Sequence, residues 1–348
     1  MSQPLRLSVL DQSPVAEGRS GTDALAETLD LARLADALGY HRYWVAEHHG
    51  GPMLAGPSPE VLIGPIATLT RGLRVGSGGV MLPHYSPLKV AENFSVLSGL
   101  FPGRIDLALG RAAGTDPLTT FALQRDRRQA APDDFPAQLV ELLGYIENQM
   151  PAEHPFARLA TTLPGRPNAP EPWLLGSSAD SATWAAELGL RYAFADFINP
   201  AGAAIARGYR ERFTASARLA RPELAVGVWV LCAESAEEAE YLASSSRMAI
   251  TLLRRGELIT VPPPQKATRF LAAQAGAEVT QQRRRRMVLG EPQSVRAGLE
   301  AIAAEYGAQE LIVVTITHDH AARRRSYELL AEAFELEHRP PAERAAAA

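Results

Sequence analysis

The sequence has little of several features that mark particular classes of protein. It contains one cysteine among 348 residues, which excludes an intramolecular disulfide framework and a thiolate zinc cluster. It has no apolar run of about 18 residues and no basic-then-apolar start, so we expect neither a membrane span nor a signal peptide. Its charge is nearly balanced, with 35 Lys and Arg against 39 Asp and Glu, and such a chain lacks the basic face of a general nucleic-acid binder. We therefore expect a cytoplasmic globular protein with no nucleic-acid or membrane partner.

Apolar residues make up 46% of the chain, which is enough for a large core. They fall into eight short runs, and amphipathic helical patterns separate most of these runs. The predicted strands are Leu5–Leu10, Tyr40–Ala46, Leu73–Val80, Ile105–Leu109, Trp173–Leu175, Tyr192–Phe194, Leu224–Cys232 and Leu311–Ile316. Strands that alternate with helices imply parallel pairing with right-handed crossovers. Eight such units predict an α/β protein with a single closed (β/α)8 TIM barrel, rather than a doubly wound sheet.

Two irregular stretches interrupt this alternation. Residues 114–172 follow the fourth strand and residues 254–290 follow the seventh, and both are rich in proline. We expect insertions here, within one barrel domain that spans residues 1–339. Residues 340–348 are expected to form a disordered tail.

The chemistry of a barrel lies at the carboxyl ends of its strands, and Glu47, His48 and His49 form the sharpest polar cluster there. A histidine can be a base, a hydrogen-bond donor or a metal ligand. Adjacent residues of an extended segment point to opposite sides, so His48 and His49 cannot both face one site without a bend. Contact with a cofactor or substrate is the favoured interpretation. Structural histidines, or a metal site completed by His84, His318 or His320, are the alternatives.

Paired glycines end the third strand. Gly76, Ser77 and Gly78 superficially fit a dinucleotide-binding fingerprint, but Pro83 and Pro87 delay the helix which that motif requires. We therefore reject a Rossmann site. Gly78 and Gly79 instead indicate unusual backbone dihedrals or the close approach of a flat ligand.

The turn after the fifth strand, Gly176-Ser177-Ser178-Ala179-Asp180-Ser181, combines small and hydroxyl residues at the start of a helix. Exposed amides at a helix N-terminus suit a phosphate, although ordinary capping explains the same residues. Arg111 follows the neighbouring fourth strand, and its guanidinium could reach the same anion. Together they favour a ligand that carries a phosphate.

Two tryptophans near strand ends, Trp44 and Trp229, have two interpretations. They could line the mouth of the barrel or fill its core.

Three segments carry a resemblance to a known family. They are Trp-Val-Ala-Glu-His-His at Trp44–His49, Val-Gly-Ser-Gly-Gly-Val-Met-Leu-Pro at Val75–Pro83, and Pro87–Arg111 with Ala91-Glu92-Asn93, Gly103-Arg104-Ile105 and Gly110-Arg111. The chain resembles the bacterial-luciferase-like flavin-dependent monooxygenases, most closely single-component-type members of unassigned substrate. The similarity covers nearly the whole chain and is most specific in its N-terminal third.

The resemblance implies FMN, used in its reduced form with molecular oxygen on a small organic substrate. Such an enzyme acts on paired donors with incorporation of oxygen, and a flavin reductase can supply the reduced flavin. His48 matches the active-site histidine of the family and Glu47 its neighbour. Gly78 and Gly79 fall where the family often has a non-proline cis peptide beneath the flavin ring. No metal is implied.

The phosphate contacts of the family match Arg111, Ser178 and Ser181. Ala113 and Gly114 would supply backbone beside the flavin. A further basic partner is expected from Arg125, Arg127 or Arg128. One departure is Gly110, where luciferase has a cysteine, and this puts light emission in doubt.

The resemblance leaves two alternatives, an oxidoreductase on the same barrel that uses coenzyme F420, and a non-catalytic flavin-binding protein. It also implies a homodimer formed through the second and third helices, Ser58–Thr70 and Pro87–Gly99. Residues 254–290 are expected to be a lid over the barrel mouth.

Overall fold

The structure, a computed structural model, describes residues 5–111, 115–124, 127–128, 133–274 and 287–340. The strands in these ranges are β1 (Arg6–Asp11), β2 (Arg42–Val45), β3 (Arg74–Met81), β4 (Ile105–Gly110), β5 (Glu171–Gly176), β6 (Arg191–Ala195), β7 (Leu224–Cys232), β8 (Met287–Gly290) and β9 (Glu310–Val314). From β1 to β7 each strand pairs in parallel with the next, and β9 pairs with both β7 and β1. This closes an eight-stranded barrel and confirms the predicted (β/α)8 fold.

Helices return the chain from one barrel strand to the next. They are α1 (Gly21–Ala37), α2 (Pro59–Leu69), α3 (Pro87–Leu100), α4 (Pro117–Leu123), α5 (Phe135–Glu147), α6 (Ala157–Thr161), α7 (Ala179–Glu187), α8 (Ala203–Arg212), α9 (Ala236–Leu253), α10 (Pro264–Gln274), α11 (Pro292–Tyr306) and α12 (His320–Ala333). Among the described residues, no helix combines the length and the apolar character that crossing a membrane requires.

The two predicted insertions contain helices and a strand that the sequence pattern does not indicate. α4 and α6 lie between β4 and β5, and α10 and β8 lie between β7 and β9. α4 buries none of its residues, so it lacks the apolar periodicity by which a helix is predicted. β8 has four residues and pairs only with the C-terminal half of β7, outside the ring of barrel strands.

Reciprocal hydrogen bonds mark the N-terminus of α1. Ser20 is the N-cap: its Oγ accepts a hydrogen bond of 3.2 Å from the main-chain N–H of Asp23. The Asp23 carboxylate accepts one of 2.8 Å from the N–H of Ser20 in return. This reciprocal pair is a capping box, in which the acidic residue is an aspartate rather than the usual glutamate.

Charged side chains fill the amino-terminal end of the barrel. Arg42 is buried, and it donates to Asp106 at 2.5 Å and to Glu310 at 2.6 Å. Arg74 donates to the other oxygen of Asp106, also at 2.5 Å. Because every one of these charges is paired, the network is tolerated in the interior. It leaves the opposite, carboxyl end of the barrel as the place for a ligand.

Two tryptophans lie directly above this network. The guanidinium of Arg42 lies 4.7 Å from the centre of the Trp173 ring, and Trp44 packs edge-on against Trp173 with the centroids 5.3 Å apart. The indole N–H of Trp44 donates to Asp106 at 2.9 Å. Trp44 therefore fills the core. Of the two interpretations that the sequence leaves open for Trp44, the barrel mouth or the core, the structure supports the second.

Candidate active site

The carboxylate of Glu47 joins the ends of two neighbouring strands. Its side chain is completely buried, and Oε1 lies 2.7 Å from Nε2 of His49. Oε1 also accepts a hydrogen bond of 3.0 Å from the hydroxyl of Tyr85, and Oε2 accepts one of 2.9 Å from the main-chain N–H of Met81. Met81 is the last residue of β3, so the carboxylate ties the exit of β2 to that of β3. These bonds make Glu47 a positioning residue, and its contact with cofactor or substrate stays a prediction.

His48 and His49 have different surroundings. The ring of His49 packs edge-on against His84, with the centroids 5.8 Å apart. His48 donates its main-chain N–H to the carbonyl oxygen of Gly56 at 3.0 Å. Its Nδ1 atom is buried and has no hydrogen-bond partner among the described residues. A ring nitrogen left open in this way can contact a bound ligand.

The pKa of His48 is lowered to about 4, mainly by burial and secondarily by the nearby His49. The imidazole is therefore neutral near pH 7. A neutral imidazole with an open nitrogen can take up a proton from a ligand or share one with it.

The other histidines considered as metal ligands have different partners. Nε2 of His318 lies 3.2 Å from the carbonyl oxygen of Glu17, and Nε2 of His320 lies 2.8 Å from Asp30, where α12 meets α1. In the part of the chain that the structure describes, no group of three His, Cys, Asp or Glu side chains could hold a metal ion. The open nitrogen of His48 favours contact with an organic ligand.

The glycine pair at the end of β3 is tightly enclosed. The Gly78–Gly79 peptide bond is cis, as the family resemblance implies. A Cβ atom on Gly78 would lie 2.6 Å from Cδ1 of Leu10, and one on Gly79 would lie 2.7 Å from the carbonyl oxygen of Ala108. Both positions exclude a side chain. β3 therefore presents only main-chain atoms at Gly78 and Gly79.

Arg111 lies beside the start of α7, as its predicted place between the fourth and fifth strands requires. Its guanidinium is 3.9 Å from the carboxylate of Asp180 and 5.2 Å from the centre of the Trp184 ring. Ser178 caps the helix, since its Oγ accepts from the N–H of Ser181 at 3.4 Å. A guanidinium next to a helix N-terminus forms a positive site that suits a phosphate.

The turn before α7 has contacts that the sequence did not indicate. The side-chain amide of Asn199, after β6, donates to the carbonyl oxygen of Ser177 at 3.0 Å. The hydroxyl groups of Ser181 and Tyr192 lie 2.9 Å apart. A Cβ atom on Gly176 would overlap Ser181. β6 and the loop after it thus fix this turn from one side, and no local sequence pattern predicts such contacts.

Several predicted contacts of the cofactor cannot be placed. Ala113, Gly114 and Arg125 lie outside the described residues. Arg127 is exposed and donates to the carbonyl oxygen of Ala122 at 2.7 Å. That Arg127 or Arg128 contacts a phosphate stays a prediction. The predicted tail also lies outside the described residues from 341 onward.

A set of apolar side chains lies at or beyond the carboxyl ends of several barrel strands. They come from the loops after β2, β6 and β9, from β7 itself and from the insertion that follows it, and they share one cluster with the barrel interior. We call them the mouth wall: Met53, Phe197, Trp229, Val261 and Ile316. Trp229 thus lines the mouth, unlike Trp44.

Val261 fixes the described part of the second insertion to the loop after β1. Its main-chain N–H donates to the carbonyl oxygen of Val15 at 2.8 Å, and its carbonyl oxygen accepts from the N–H of Glu17 at 2.8 Å. Three residues later α10 begins, and the Nζ atom of Lys266 lies 2.7 Å from the carboxylate of Glu17. These bonds hold the completely buried side chain of Val261 in the mouth wall.

The chain is similar to known proteins along nearly its whole length. Residues 5–310 match the family described as luciferase-like monooxygenase. An uncharacterized protein of Bacillus subtilis, YwcH, is 46% identical over 94% of this chain and 98% of its own length. A luciferase-like monooxygenase of Escherichia coli K12 is 42% identical over 93% of this chain and 96% of its own. The crystal structure of apo-MsnO8 is 41% identical, with a TM-score of 0.88, and covers 97% of this chain and 99% of its own.

More distant structures share the fold alone. The oxygenating constituent of 3,6-diketocamphane monooxygenase from Pseudomonas putida, in complex with FMN, has a TM-score of 0.71 at 20% identity, covering 95% of this chain and 97% of its own. An F420-dependent secondary alcohol dehydrogenase has a TM-score of 0.62 at 14% identity, covering 95% of this chain and 99% of its own. The family match and the relatives of more than 40% identity nevertheless agree, and the chain belongs to the luciferase-like monooxygenase family.

Proposed function

We propose that this protein is an FMN-dependent monooxygenase that uses reduced flavin and molecular oxygen to oxidise a small organic substrate. One observation carries the proposal: Arg111 lies at the N-terminus of α7, and the open nitrogen of His48 lies at the end of a strand on the same side of the barrel. The first group can hold a phosphate, and the second can contact the reactive part of the same ligand.

The phosphate end of the cofactor would bind between β4 and β5. Arg111 supplies a fixed positive charge, and the first turn of α7 supplies main-chain N–H groups and the hydroxyl of Ser178. Arg111 is half exposed and has only the distant carboxylate of Asp180 as an ionic partner among the described residues. An anion can therefore approach its guanidinium.

The ring end of the cofactor would lie over the enclosed glycines of β3. Gly78 and Gly79 present backbone with no side chain, and His48 brings a neutral imidazole to the neighbouring strand end. When bound in its reduced form, FMN supplies the electrons for the activation of oxygen. His48 would then hold or move a proton at Nδ1, and Glu47 would keep the loop of His48 in place.

The mouth wall would exclude water from this space. Val261 and Trp229 are buried, and the bonds of Val261 to the loop after β1 keep the described part of the insertion against the barrel. Oxygen chemistry on reduced cofactors needs a dry site to avoid side reactions.

Coenzyme F420 is the second candidate, because it also carries a phosphate and because an F420-dependent enzyme shares the fold. Titration of the purified protein with FMN and with F420 separates the two. We expect FMN to bind at least tenfold more tightly, and oxygenated product to form from a substrate when NADH, oxygen and a flavin reductase are added. Tighter binding of F420 would favour hydride transfer. Tight flavin binding without turnover on any member of a substrate panel would favour a non-catalytic protein.

A further inference from the structure

We propose that the mouth wall binds the substrate, and that this substrate is an uncharged, mainly apolar molecule whose hydrogen-bond acceptor, such as a ketone or ester carbonyl, bonds to Nε1 of Trp229. The proposal rests on the proposed function, because it takes the molecule bound there to be the one that is oxidised.

The indole of Trp229 has an unused donor. Its side chain is 5% exposed, and its Nε1 atom is buried with no hydrogen-bond partner among the described residues. An indole N–H can only donate, so only an acceptor can satisfy it. Buried polar groups without a partner are rare and costly. Of the described tryptophans, Trp44 and Trp173 both have acceptors for their N–H, which are the carboxylates of Asp106 and Glu171.

Packing holds the indole ring of Trp229 in place. Phe197 lies edge-on to Trp229, with the centroids 6.0 Å apart and the planes at 85°. Gly227, two residues before Trp229 on the same face of β7, makes room for Phe197, since a Cβ atom there would lie 2.7 Å from its ring. Across the sheet Trp229 pairs with Val314 at the end of β9. A held donor costs less conformational entropy when it binds a ligand.

The rest of the mouth wall selects against charge. Met53, Val261 and Ile316 carry no polar side-chain group that could balance an ionised ligand. Glu17, whose main-chain N–H bonds to Val261, has a charged side chain, but this side chain pairs with Lys266. A carboxylate or ammonium bound here would lose its hydration without a counter-charge from the wall, whereas a carbonyl needs a single donor.

Calorimetric binding to the full-length protein loaded with oxidised FMN tests the proposal without turnover. The probes are methyl ketones of six to ten carbons, the alkenes in which C=CH2 replaces C=O, and the carboxylates of equal chain length at pH 8. We expect at least one ketone to bind about three- to tenfold more tightly than its alkene, the contribution of one neutral hydrogen bond. We expect the matching carboxylate to bind at least tenfold more weakly than the ketone.

Trp229→Phe keeps an aromatic ring and removes the donor, so it should bring the ratio of ketone to alkene affinity close to one. Trp173→Phe is the matched control, because it removes an indole N–H that already has an acceptor, and it should leave the ratio unchanged. The three-probe comparison in the unchanged protein stands even if a variant folds poorly.

Several results would overturn the proposal: equal binding of ketone and alkene, tighter binding of the carboxylate, no saturable binding of any ketone, or an unchanged ratio in folded Trp229→Phe. A failure of the proposed function is recognised separately, because F420 would then bind more tightly than FMN in the first titration, or FMN would bind without turnover of any substrate.

Discussion

Arg111 is the residue on which the binding of FMN most directly depends. Its guanidinium lies beside the first turn of α7, where it would make a charged hydrogen bond to phosphate. We expect Arg111→Ala to weaken FMN binding by about 1.5–3 kcal/mol, which is about tenfold or more in Kd. Titration of flavin fluorescence measures this change, and identical titration curves would contradict the assignment.

Asp180 gives the opposite control at the same place. Its carboxylate lies 3.9 Å from Arg111 and would repel a bound phosphate. Asp180→Asn should therefore leave FMN binding unchanged or tighten it by roughly two- to fivefold, within the range of exposed charge pairs. A parallel loss of affinity in both variants would indicate that α7 has been disturbed, rather than that an anion contact has been removed.

His48 should affect turnover and not cofactor affinity. Its imidazole is neutral near pH 7, because burial lowers its pKa to about 4, and its buried Nδ1 has no hydrogen-bond partner among the described residues. General acid–base groups contribute about 10²- to 10⁴-fold to rates, so His48→Ala should lower kcat at least tenfold while the Kd of FMN changes little. His154→Ala, in the insertion after β4, is the control. Full activity of His48→Ala in a reductase-coupled oxygen assay would refute the role.

At the scale of elements, the ends of the strands could be predicted and the contacts between connections could not. The run of apolar residues before Glu47 locates β2, and the small residues before Met81 locate the exit of β3, so barrel topology places both at one rim. Nothing in either segment indicates that the Glu47 carboxylate accepts the N–H of Met81. That bond depends on the stagger of the two strands, which a single sequence does not specify.

Val261 shows the same limit in the insertion after β7. It follows no periodic pattern and precedes three prolines, so the sequence indicates only a loop. Its place in the mouth wall depends on a two-bond bridge to the loop after β1, which is far away along the chain. Non-local contacts of this kind are what propensity and periodicity cannot report.

The bonds of Glu47 make a prediction about the rim as a unit. Glu47→Ala would leave the hydroxyl of Tyr85 and the N–H of Met81 without their acceptor in a buried place. We expect a loss of about 2–3 kcal/mol in the free energy of unfolding, measured with urea. Glu47→Gln keeps the oxygen acceptor and should recover part of this loss. Glu211→Ala, at an exposed position of α8, should change stability by less than about 0.5 kcal/mol.

At the scale of the whole molecule, the face formed by α2 and α3 should join two chains. Val61 on α2 and Val96 and Leu100 on α3 are 65%, 46% and 67% exposed, and a contiguous exposed apolar patch indicates an interface. We expect light scattering after size exclusion to report two chains, and Leu100→Asp to shift the mass to one chain. Leu253→Asp, at the end of α9, should leave the dimer intact. A monomeric unchanged protein would contradict this prediction.

Acid should destabilise the whole molecule in two stages. Burial lowers the pKa values of His48 and His41 to about 4, against about 6.5 in an unfolded chain. Between these values the unfolded chain binds more protons, so the free energy of unfolding falls as the pH drops from about 6.5 towards 4. For His48 this loss in the free energy of unfolding is about 3 kcal/mol, since one pKa unit corresponds to about 1.4 kcal/mol.

The second stage involves the buried carboxylates. Burial alone would raise the pKa of Asp106, but Arg42 and Arg74 outweigh it and hold that pKa below its usual value.

Asp106 and the other carboxylates at the amino-terminal end of the barrel therefore lose their stabilising charge only below about pH 4, beneath the range in which the two histidines reduce stability. Urea unfolding at intervals between pH 8 and pH 4 should show a slope that begins near 6.5, and His48→Asn should reduce that slope because asparagine does not titrate. His154→Ala should retain it. A flat profile down to pH 5, or the same slope in His48→Asn as in the unchanged protein, would show that His48 takes up its proton at the same pH in the folded and the unfolded chain. Burial would then not hold this imidazole in its neutral form below pH 6.5, which would contradict the environment assigned to His48.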